Sequence, residues 1–418
     1  MNRRLTQSLT TFCLLVTLAA LPVLAEVWNY PQPDADRDVK DTAFYQAPAA
    51  DGLIPNITAG RPRRVILLIG DGMSVNHVAL ARNRAVGPAG RLYMEQMPVL
   101  GLVRTHAANQ LVTDSAAAAT ALACGVKTDN GRIGTTPDGV AWQSILKKAQ
   151  DKGFRTALVA TSTLSHATPA GFAANVENRG SEADIAAQLI DNRVDILFGG
   201  GRKHWLPAPA GSRKDDRSLI EAARAAGYQI AYNREQLDAL KPGLALGLFA
   251  DDGMTTFAPE PMLADMAQAA IRLLNAKTEW FAPDPRFFIM IEGSQIDWAA
   301  HGNDADNAIR QTLLFDMTVK EALDFARRDK HTLVIVTADH ETGGLLVKAD
   351  KKIPVAAWNA KGHTAGDVPL YAFGPGSPHF AGTHDNTDIP KIIARLLNID
   401  NFPAPLKPAK PARQPVSK

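Results

Sequence analysis

The sequence predicts an α/β fold in which a doubly wound, mostly parallel sheet is covered by helices on both faces, as in a three-layer α/β/α sandwich. Short apolar runs rich in β-branched residues recur without alternating with polar residues, which is typical of strands buried on both faces. Helical patterns separate these runs, as parallel strands require. The runs cover 65–69, 156–160, 194–198, 287–291 and 332–336, and the helical stretches include 142–152, 184–191, 261–275 and 305–328.

The first 25 residues have the pattern of a cleaved signal peptide. Arg3 and Arg4 precede an apolar run over 11–21, and small residues follow at 23–25. A membrane anchor is the alternative, but the run is shorter than the roughly 18 residues that a span requires, and Pro22 lies near its end. We therefore expect a periplasmic or secreted protein with no membrane anchor after cleavage.

The rest of the chain divides into three parts. Residues 26–60 are polar and contain proline, so we expect an N-terminal arm that crosses the surface. Residues 61–402 hold all the predicted strands and form the main domain. Residues 403–418 are rich in proline, lysine and alanine, and we expect a disordered tail.

Composition limits the partners and the covalent chemistry. Removal of Arg3 and Arg4, the only charged side chains of the first 25 residues, leaves a mature chain without net charge. This neutrality gives no reason to expect nucleic acid or an anionic membrane as a partner. Only Cys124 remains after cleavage, so an intrachain disulfide is excluded. We interpret Cys124 as a small core residue, with a reactive thiol as the alternative.

Polar residues that can bind metal ions follow four of the five apolar runs. These clusters cover 70–73, 161–168, 292–297 and 337–344. Open α/β sheets place their sites at the carboxyl ends of the strands, so we expect the clusters to converge on one edge of the sheet.

Four carboxylates belong to these clusters: Asp71, Glu292, Asp297 and Asp339. Side by side they repel one another strongly, and raised pKa values alone are a poor remedy. Divalent cations solve the problem directly, because three such ions outweigh four carboxylates. The result is a positive site that attracts a phosphate dianion.

Residue spacing suggests which side chains share an ion. Asp297 and His301 are four residues apart and share one face of a helix, and a mixed carboxylate and imidazole set suits Zn²⁺. Asp339 is followed directly by a histidine at a strand end, where a turn can bring both to one ion. Glu292 with Thr168 offers only oxygen atoms, which suits Mg²⁺. Each pair is weak evidence when taken singly.

The candidate nucleophile is Ser115, at the start of an alanine-rich helix. The free N–H groups and the dipole at that position favour both an alkoxide and a phosphate. The alternative is that Thr113, Asp114 or Ser115 is only an N-cap. The two interpretations are compatible, because one residue can cap while its neighbour attacks.

Four motifs together resemble the alkaline phosphatase family. They are I-L-L-I-G-D-G-M, T-D-S-A-A-A-A-T-A with G-V-K-T, I-E-G-S-Q-I-D-W-A-A-H, and V-T-A-D-H-E-T-G-G, and the resemblance extends from about residue 62 to 395. It implies that phosphate monoesters are hydrolysed at alkaline pH through a phosphoserine. It also implies a broad substrate range, suited to phosphate scavenging.

The resemblance further implies two zinc ions and one magnesium ion. The first zinc is assigned to Asp297, His301 and His363, the second to Asp71, Asp339, His340 and the Ser115 oxygen, and magnesium to Asp71, His166, Thr168 and Glu292.

Substrate binding is assigned by the same resemblance. Arg179 falls at the family's phosphate-binding arginine, whose planar fork binds two oxygen atoms, and Asp114 lies beside the nucleophile. His384 is the alternative to His363, because it also lies near the C-terminus. We prefer His363, since its neighbours resemble the family's last zinc-ligand segment.

Two positions resemble the form of the family that has histidine and tryptophan at its variable active-site positions. His166 replaces the aspartate of another bacterial form, and its neutral nitrogen should weaken Mg²⁺ retention or let zinc compete. Trp298 replaces a lysine, and the loss of this cation should weaken binding of the phosphate product.

Oligomeric state and rival activities follow from the same comparison. Many relatives have a crown-type insertion that joins two subunits, and the segment between Gly344 and His363 is short. We expect a homodimer, with a monomer as the alternative. A phosphodiesterase, nucleotide pyrophosphatase or sulfatase is the nearest rival. Many diesterases use threonine and sulfatases need a modifiable residue, and Ser115 followed by two alanines fits neither pattern. A binding protein without turnover would not need a serine nucleophile.

Overall fold

The computed structural model describes residues 38–49, 52–277, 284–351 and 353–406. Its strands are β1 (Arg64–Gly70), β2 (Val99–Arg104), β3 (Arg155–Thr163), β4 (Ile196–Gly200), β5 (Gln229–Ala231), β6 (Ala245–Leu248), β7 (Phe287–Gly293), β8 (Thr332–Thr337), β9 (Glu341–Thr342), β10 (Leu346–Asp350), β11 (Ile353–Ala357), β12 (His363–Thr364), β13 (Val368–Phe373) and β14 (Gly382–Asp385). Its α-helices are α1 (Val75–Ala85), α2 (Ser115–Cys124), α3 (Ile145–Asp151), α4 (Ala167–Ala173), α5 (Glu182–Asp191), α6 (Leu219–Ala225), α7 (Arg234–Ala239), α8 (Leu263–Leu274), α9 (Gln295–His301), α10 (Ala305–Asp329) and α11 (Asp388–Leu396).

Ten strands form one central sheet in the order β14-β2-β13-β8-β1-β7-β3-β4-β6-β5, flanked by helices. Its pairings are parallel except those of β13 with β2 and β8, so the predicted fold class is confirmed. All seven residues of β1 and of β7 are buried, as are all six of β8. This burial on both faces explains why the runs are continuously apolar.

The five predicted strands are present, with small shifts at their ends. Strand β4 begins at Ile196, two residues later than expected. Helix α3 begins at Ile145 and not at Trp142, because the Ser144 hydroxyl accepts a hydrogen bond from the Lys147 amide at 3.1 Å and caps the helix there.

The two ends of the described chain are attached to the domain. Within the expected N-terminal arm, Tyr45 packs against the core and its hydroxyl donates to Asp316 Oδ2 at 2.7 Å. The disordered tail was expected from Pro403, and this boundary is too early. The Gln143 amide donates to the Ala404 carbonyl at 2.9 Å, and the Leu406 amide donates to the Ala141 carbonyl at 2.7 Å. Composition predicts disorder there, but these backbone pairs hold residues 403–406.

Other sequence expectations have mixed outcomes. The signal peptide over 1–25 and residues 407–418 lie outside the described residues. Among the helices that the structure describes, none combines the length and the apolar character needed to cross a bilayer. Cys124 is buried, and burial raises the pKa of its thiol to about 12, which agrees with a core residue and not a reactive thiol.

The short insertion is an antiparallel hairpin of β10 and β11. It separates β9 from β12, and those two short strands pair with each other, with His363 opposite Thr342. The two ends of the hairpin therefore lie close together at the β9–β12 pair, and His363 is in β12.

Candidate active site

The predicted metal-binding residues meet at the carboxyl ends of adjacent central strands. Asp71 follows β1 directly, Glu292 is the penultimate residue of β7, and Asp339 comes two residues after β8. Thr168 lies in the first turn of α4, which follows β3. Since β8, β1, β7 and β3 are neighbours in the sheet, the expected convergence on one edge is present.

Three fully buried carboxylates lie in this cluster. Burial and the charges of Asp339, Asp297 and Glu292 raise the pKa of Asp71 well above its ordinary range. Burial also raises the pKa of Glu292 to about 7, and burial with the charge of Asp297 raises that of Asp339 to about 6. The charged forms of these acids are therefore costly without positive partners.

Several oxygen atoms in the cluster lack a hydrogen-bond donor among the described residues. They include both carboxylate oxygens of Asp71, Glu292 Oε1 and the Thr168 hydroxyl oxygen, all buried. Buried polar atoms are rarely left unpaired, and a cluster of unpaired hard oxygen ligands fits a bound cation. The residues present thus fit divalent metal ions.

Two histidines point their Nε2 atoms toward Asp297. His363 Nδ1 lies 2.8 Å from the Thr113 carbonyl oxygen, and His301 Nδ1 contacts the Lys361 carbonyl oxygen. Both Nδ1 atoms must therefore be N–H donors, so in the neutral rings the lone pair is on Nε2. These Nε2 atoms lie 3.5 Å and 3.3 Å from Asp297 Oδ1. A backbone carbonyl that orients the second nitrogen is typical of metal-binding histidines.

His340 is oriented in a similar way, with Nδ1 as the N–H donor and Nε2 facing Asp339 and Ser115. The Thr342 hydroxyl donates to Asp297 and therefore accepts from His340 Nδ1, at 3.3 Å. His340 Nε2 then presents its lone pair 3.2 Å from Asp339 Oδ2 and 3.2 Å from Ser115 Oγ. This nitrogen joins the carboxylate cluster to the candidate nucleophile.

Three groups of side chains have ligand atoms within 4.8 Å of one another. They are Asp297 with His301 and His363, Asp71 with Asp297 and His340, and Asp71 with His166 and Glu292. The grouping resembles the three expected ligand sets and shares Asp71 between two of them, as expected. It differs in placing Asp297 also with His340, where the sequence analysis assigned Asp339.

Ser115 is the first residue of α2, and the structure shows which of the three candidate residues is the N-cap. Asp114 is the N-cap, because its Oδ1 accepts a hydrogen bond from the Ala117 amide at 2.9 Å. The Ser115 hydroxyl faces His340 instead. Small residues let α4 approach α2 closely, since a Cβ on Gly171 would lie 2.8 Å from Ala119 Cβ.

The predicted substrate-binding residues are linked to one another through Arg179 and His166. Arg179 Nη1 donates to Asp114 Oδ2 at 3.1 Å, and Arg179 Nη2 lies 3.2 Å from His166 Nε2. The rings of His166 and Trp298 are nearly perpendicular, with centroids 6.2 Å apart. Burial and the charge of Arg179 lower the pKa of His166 to about 4, so its imidazole is neutral at physiological pH.

Some functional contacts were missed by the sequence analysis, and one alternative is not brought into the site. Thr342 orients Asp297 and His340, and Ser162 donates to Glu292 Oε2 at 3.1 Å. Both hydroxyls lie inside the recognised clusters, which was the available signal. His384 lies in β14, where its Nε2 is 3.1 Å from the Ala381 carbonyl oxygen, outside the three groups.

Comparisons with known proteins agree on one family. The family model described as alkaline phosphatase matches residues 62–357 and 347–399. Alkaline phosphatase 3 of Bacillus subtilis is 33% identical, over 83% of this chain and 93% of that protein. The solved alkaline phosphatase of the Antarctic bacterium TAB5 is 34% identical with a TM-score of 0.74, over 82% of this chain and 100% of that one. A TAB5 variant with a histidine changed to aspartate, solved with Mg bound in its M3 site, is 32% identical with a TM-score of 0.74, over 82% and 99%.

Proposed function

Because this chain belongs to the alkaline phosphatase family and is a phosphatase, we propose that it hydrolyses phosphate monoesters at alkaline pH through a phosphoserine on Ser115. The observation that carries the proposal is the position of Ser115. Its hydroxyl oxygen lies 3.2 Å from His340 Nε2, at the start of a buried helix and beside three potential ion-binding groups.

We assign the ions as the sequence resemblance implies. Two zinc ions and one magnesium ion would be held by these sets: Asp297, His301 and His363; Asp71, Asp339, His340 and the Ser115 oxygen; and Asp71, His166, Thr168 and Glu292. Such ions, when bound, make hydroxyl groups and water better nucleophiles and stabilise charge that develops on oxygen. The unpaired oxygens of Asp71, Glu292 and Thr168 support this assignment.

The chain's own residues supply the nucleophile and hold the phosphate. Ser115 Oγ loses its proton and forms a bond to phosphorus while the ester O–P bond breaks, and the alcohol leaves with one proton. Water then bonds to phosphorus, the Ser115 O–P bond breaks, Ser115 Oγ takes a proton from the water, and phosphate is released. The backbone N–H groups at the start of α2 stabilise negative charge on the phosphoryl oxygens.

Arg179 and Asp114 position the phosphoryl group. The Arg179 fork can bind two non-bridging oxygens at once, and its contact with Asp114 Oδ2 limits the orientations that the guanidinium adopts. Trp298 and the neutral His166 add no positive charge beside it. This lack of a cation fits the expected weaker binding of the phosphate product. The groups named here, Arg179 and the N–H groups of α2, would all contact the phosphoryl group and not the alcohol, which supports a broad range of alcohols and a scavenging role outside the cytoplasm.

The reaction class is tested with three p-nitrophenyl esters. We expect the phosphate monoester to be hydrolysed at least about 100-fold faster than the bis(p-nitrophenyl) phosphate diester or the sulfate, because the proposed divalent ions would make the site positive and favour a dianion. Release of p-nitrophenol at alkaline pH measures all three rates. Equal rates for the diester and the monoester would instead favour a phosphodiesterase.

Arg179→Lys is expected to weaken competitive inhibition by inorganic phosphate and to raise KM by about tenfold, because a point charge replaces a two-pronged donor. The measurement is steady-state hydrolysis of p-nitrophenyl phosphate at several phosphate concentrations. Arg202→Lys is the matched control, since Arg202 is a partly buried residue paired with Asp251 by a similar ion pair. If both variants keep the wild-type inhibition constant, the assigned role of Arg179 is wrong.

His166→Asp is expected to increase Mg²⁺ affinity, because a carboxylate oxygen replaces a neutral nitrogen near Asp71 and Glu292. The TAB5 variant with this type of change binds Mg in its M3 site, and that relative supports the expectation. Titration of metal-depleted protein with Mg²⁺ gives the affinity. His384→Asp controls for the added charge, and equal affinity in wild type and His166→Asp contradicts the proposal.

A further inference from the structure

A turn formed by residues 129–132 lies between the nucleophile helix and Arg179. The Arg132 amide contacts the Asp129 carbonyl oxygen at 3.3 Å and closes the turn. Asn130 and Gly131 lie at its centre, and no hydrogen bond among the described residues joins either of them to the metal-binding groups. Their contacts reach the two parts of the chain that carry the proposed nucleophile and the phosphate-binding arginine.

Gly131 is bonded to both parts at once. Its amide donates to Asp114 Oδ2 at 2.9 Å, and its carbonyl oxygen accepts from the Arg179 amide at 2.8 Å. The Arg179 guanidinium donates to the same Asp114 oxygen at 3.1 Å. One residue of the turn thus fixes the backbone of Arg179 and the carboxylate that orients its side chain.

Asn130 fixes the segment that enters α2. Its Oδ1 accepts from the Asp114 amide at 2.9 Å, and its Nδ2 donates to the Val112 carbonyl at 3.1 Å. The Asn130 amide is itself held by Asn109 Oδ1 at 3.2 Å. Because Asp114 directly precedes Ser115 and caps α2, these bonds determine where the Ser115 hydroxyl is presented.

We propose that Asn130 and Gly131 are positioning residues, which set the distance between Ser115 and Arg179 by holding both to one turn. This inference rests on the roles proposed above for those two residues. Transfer of a phosphoryl group requires the nucleophile and the phosphate oxygens to be placed together, and small displacements cost much of the rate. A turn bonded to both partners keeps that spacing constant.

The backbone of Gly131 allows a matched test. Gly131 has φ +87°, and an added Cβ would meet no heavy atom within 4 Å, so Gly131→Ala strains the turn through its backbone alone. Gly227 has φ +95° and equally open space. It lies between α6 and β5, at the far end of the sheet. The two substitutions impose the same kind of strain at different places.

We expect Gly131→Ala and Gly227→Ala to lower the thermal midpoint similarly, with only Gly131→Ala losing about tenfold in kcat/KM. Its inhibition by inorganic phosphate should also weaken by several-fold. In an Arg179→Ala background, Gly131→Ala should no longer change the phosphate inhibition constant, because no guanidinium remains to be positioned. Equal kcat/KM in the two glycine variants would overturn the inference. So would a change in the phosphate inhibition constant on Gly131→Ala that is the same with and without the Arg179 guanidinium.

Asn130→Ala provides a second, independent variant. Its control is Asn192→Ala, which removes one side-chain hydrogen bond to a backbone carbonyl, that of Ala173, outside the site. We expect kcat to fall about tenfold in Asn130→Ala and to stay unchanged in Asn192→Ala. The thermal melt gives the fraction of Asn130→Ala that is folded at the assay temperature. If the loss of activity is no larger than the loss of folded protein, a positioning role is contradicted.

The parent proposal fails in a different way. If Ser115→Ala retains wild-type turnover, the proposed function is wrong. If Ser115→Ala is inactive while Gly131→Ala behaves as Gly227→Ala does, only the positioning inference is wrong.

Discussion

Ser115→Ala is expected to reduce hydrolysis of phosphate monoesters by at least about 1,000-fold while the fold remains intact. The substitution removes the atom that would bond to phosphorus. It also removes one oxygen from the second proposed zinc set, but the helix itself should be kept, because Ser115 is buried in an alanine-rich helix and Asp114 provides the cap. Alanine also has the higher helix propensity, so we expect an unchanged or slightly higher thermal midpoint.

Ser144→Ala is the matched control for this variant. Ser144 caps α3 through the Lys147 amide, and its hydroxyl also donates to the Phe172 carbonyl. Its removal should cost about 1 kcal/mol of stability and leave activity unchanged. The two variants should therefore show opposite patterns in a thermal melt and a p-nitrophenyl phosphate assay.

The covalent intermediate gives a direct measurement of the same hypothesis. Acid quenching of wild type during turnover, followed by mass spectrometry of the peptide that contains Ser115, should show one added phosphoryl group. The peptide from Ser115→Ala should not carry it. Substantial turnover by Ser115→Ala, or a phosphoryl group on another residue, would contradict the proposed mechanism.

Removal of divalent ions is expected to abolish activity and to lower the thermal midpoint, with recovery of both after Zn²⁺ and Mg²⁺ are restored. The physical reason is the carboxylate cluster, since Asp71 meets no hydrogen-bond donor in the described part of the chain and its pKa is raised by burial and neighbouring acids. Ions that bind only the folded state contribute about 4 kcal/mol at 1,000 times their Kd.

Ser115→Ala also separates the two consequences of chelation. This variant retains every assigned metal ligand except the Ser115 hydroxyl. Its thermal midpoint should therefore fall on chelation about as far as that of wild type, although it has no activity to lose. Elemental analysis of the purified protein completes the test. Active protein that contains no bound metal would refute the assignment of the ions.

Much of the fold was predictable because parallel strands that are buried on both faces have continuous apolar sequences. The runs at 65–69, 287–291 and 332–336 became three adjacent central strands. Their order across the sheet could not be read from the runs, because it depends on which strands pair over long distances. The convergence of Asp71, Glu292 and Asp339 was predictable, because it requires only that parallel strands end at the same edge.

Other parts of the site depend on tertiary packing that no local pattern encodes. His363 was assigned through the family resemblance, because it lies in a two-residue strand after the hairpin and has no helical or strand periodicity around it. The direction of the Thr342 hydroxyl follows from the positions of Asp297 and His340, so its role could not be derived from sequence. Residues 403–406 were predicted to be disordered from their Pro-rich composition, but the backbone of Ala404 and Leu406 is hydrogen-bonded to the domain.

The place of β1 in the sheet has a consequence for how an active molecule is made. The first strand of the described chain pairs with β7 and β8, with Arg64 opposite Phe287 and Thr332. These contacts are far apart in sequence, and closing such long loops makes assembly slow. A chain synthesised from its N-terminus presents Asp71 long before His340 and His363 exist. An incomplete chain therefore lacks part of the proposed metal-binding set, and we expect phosphatase activity only after His363 has been synthesised.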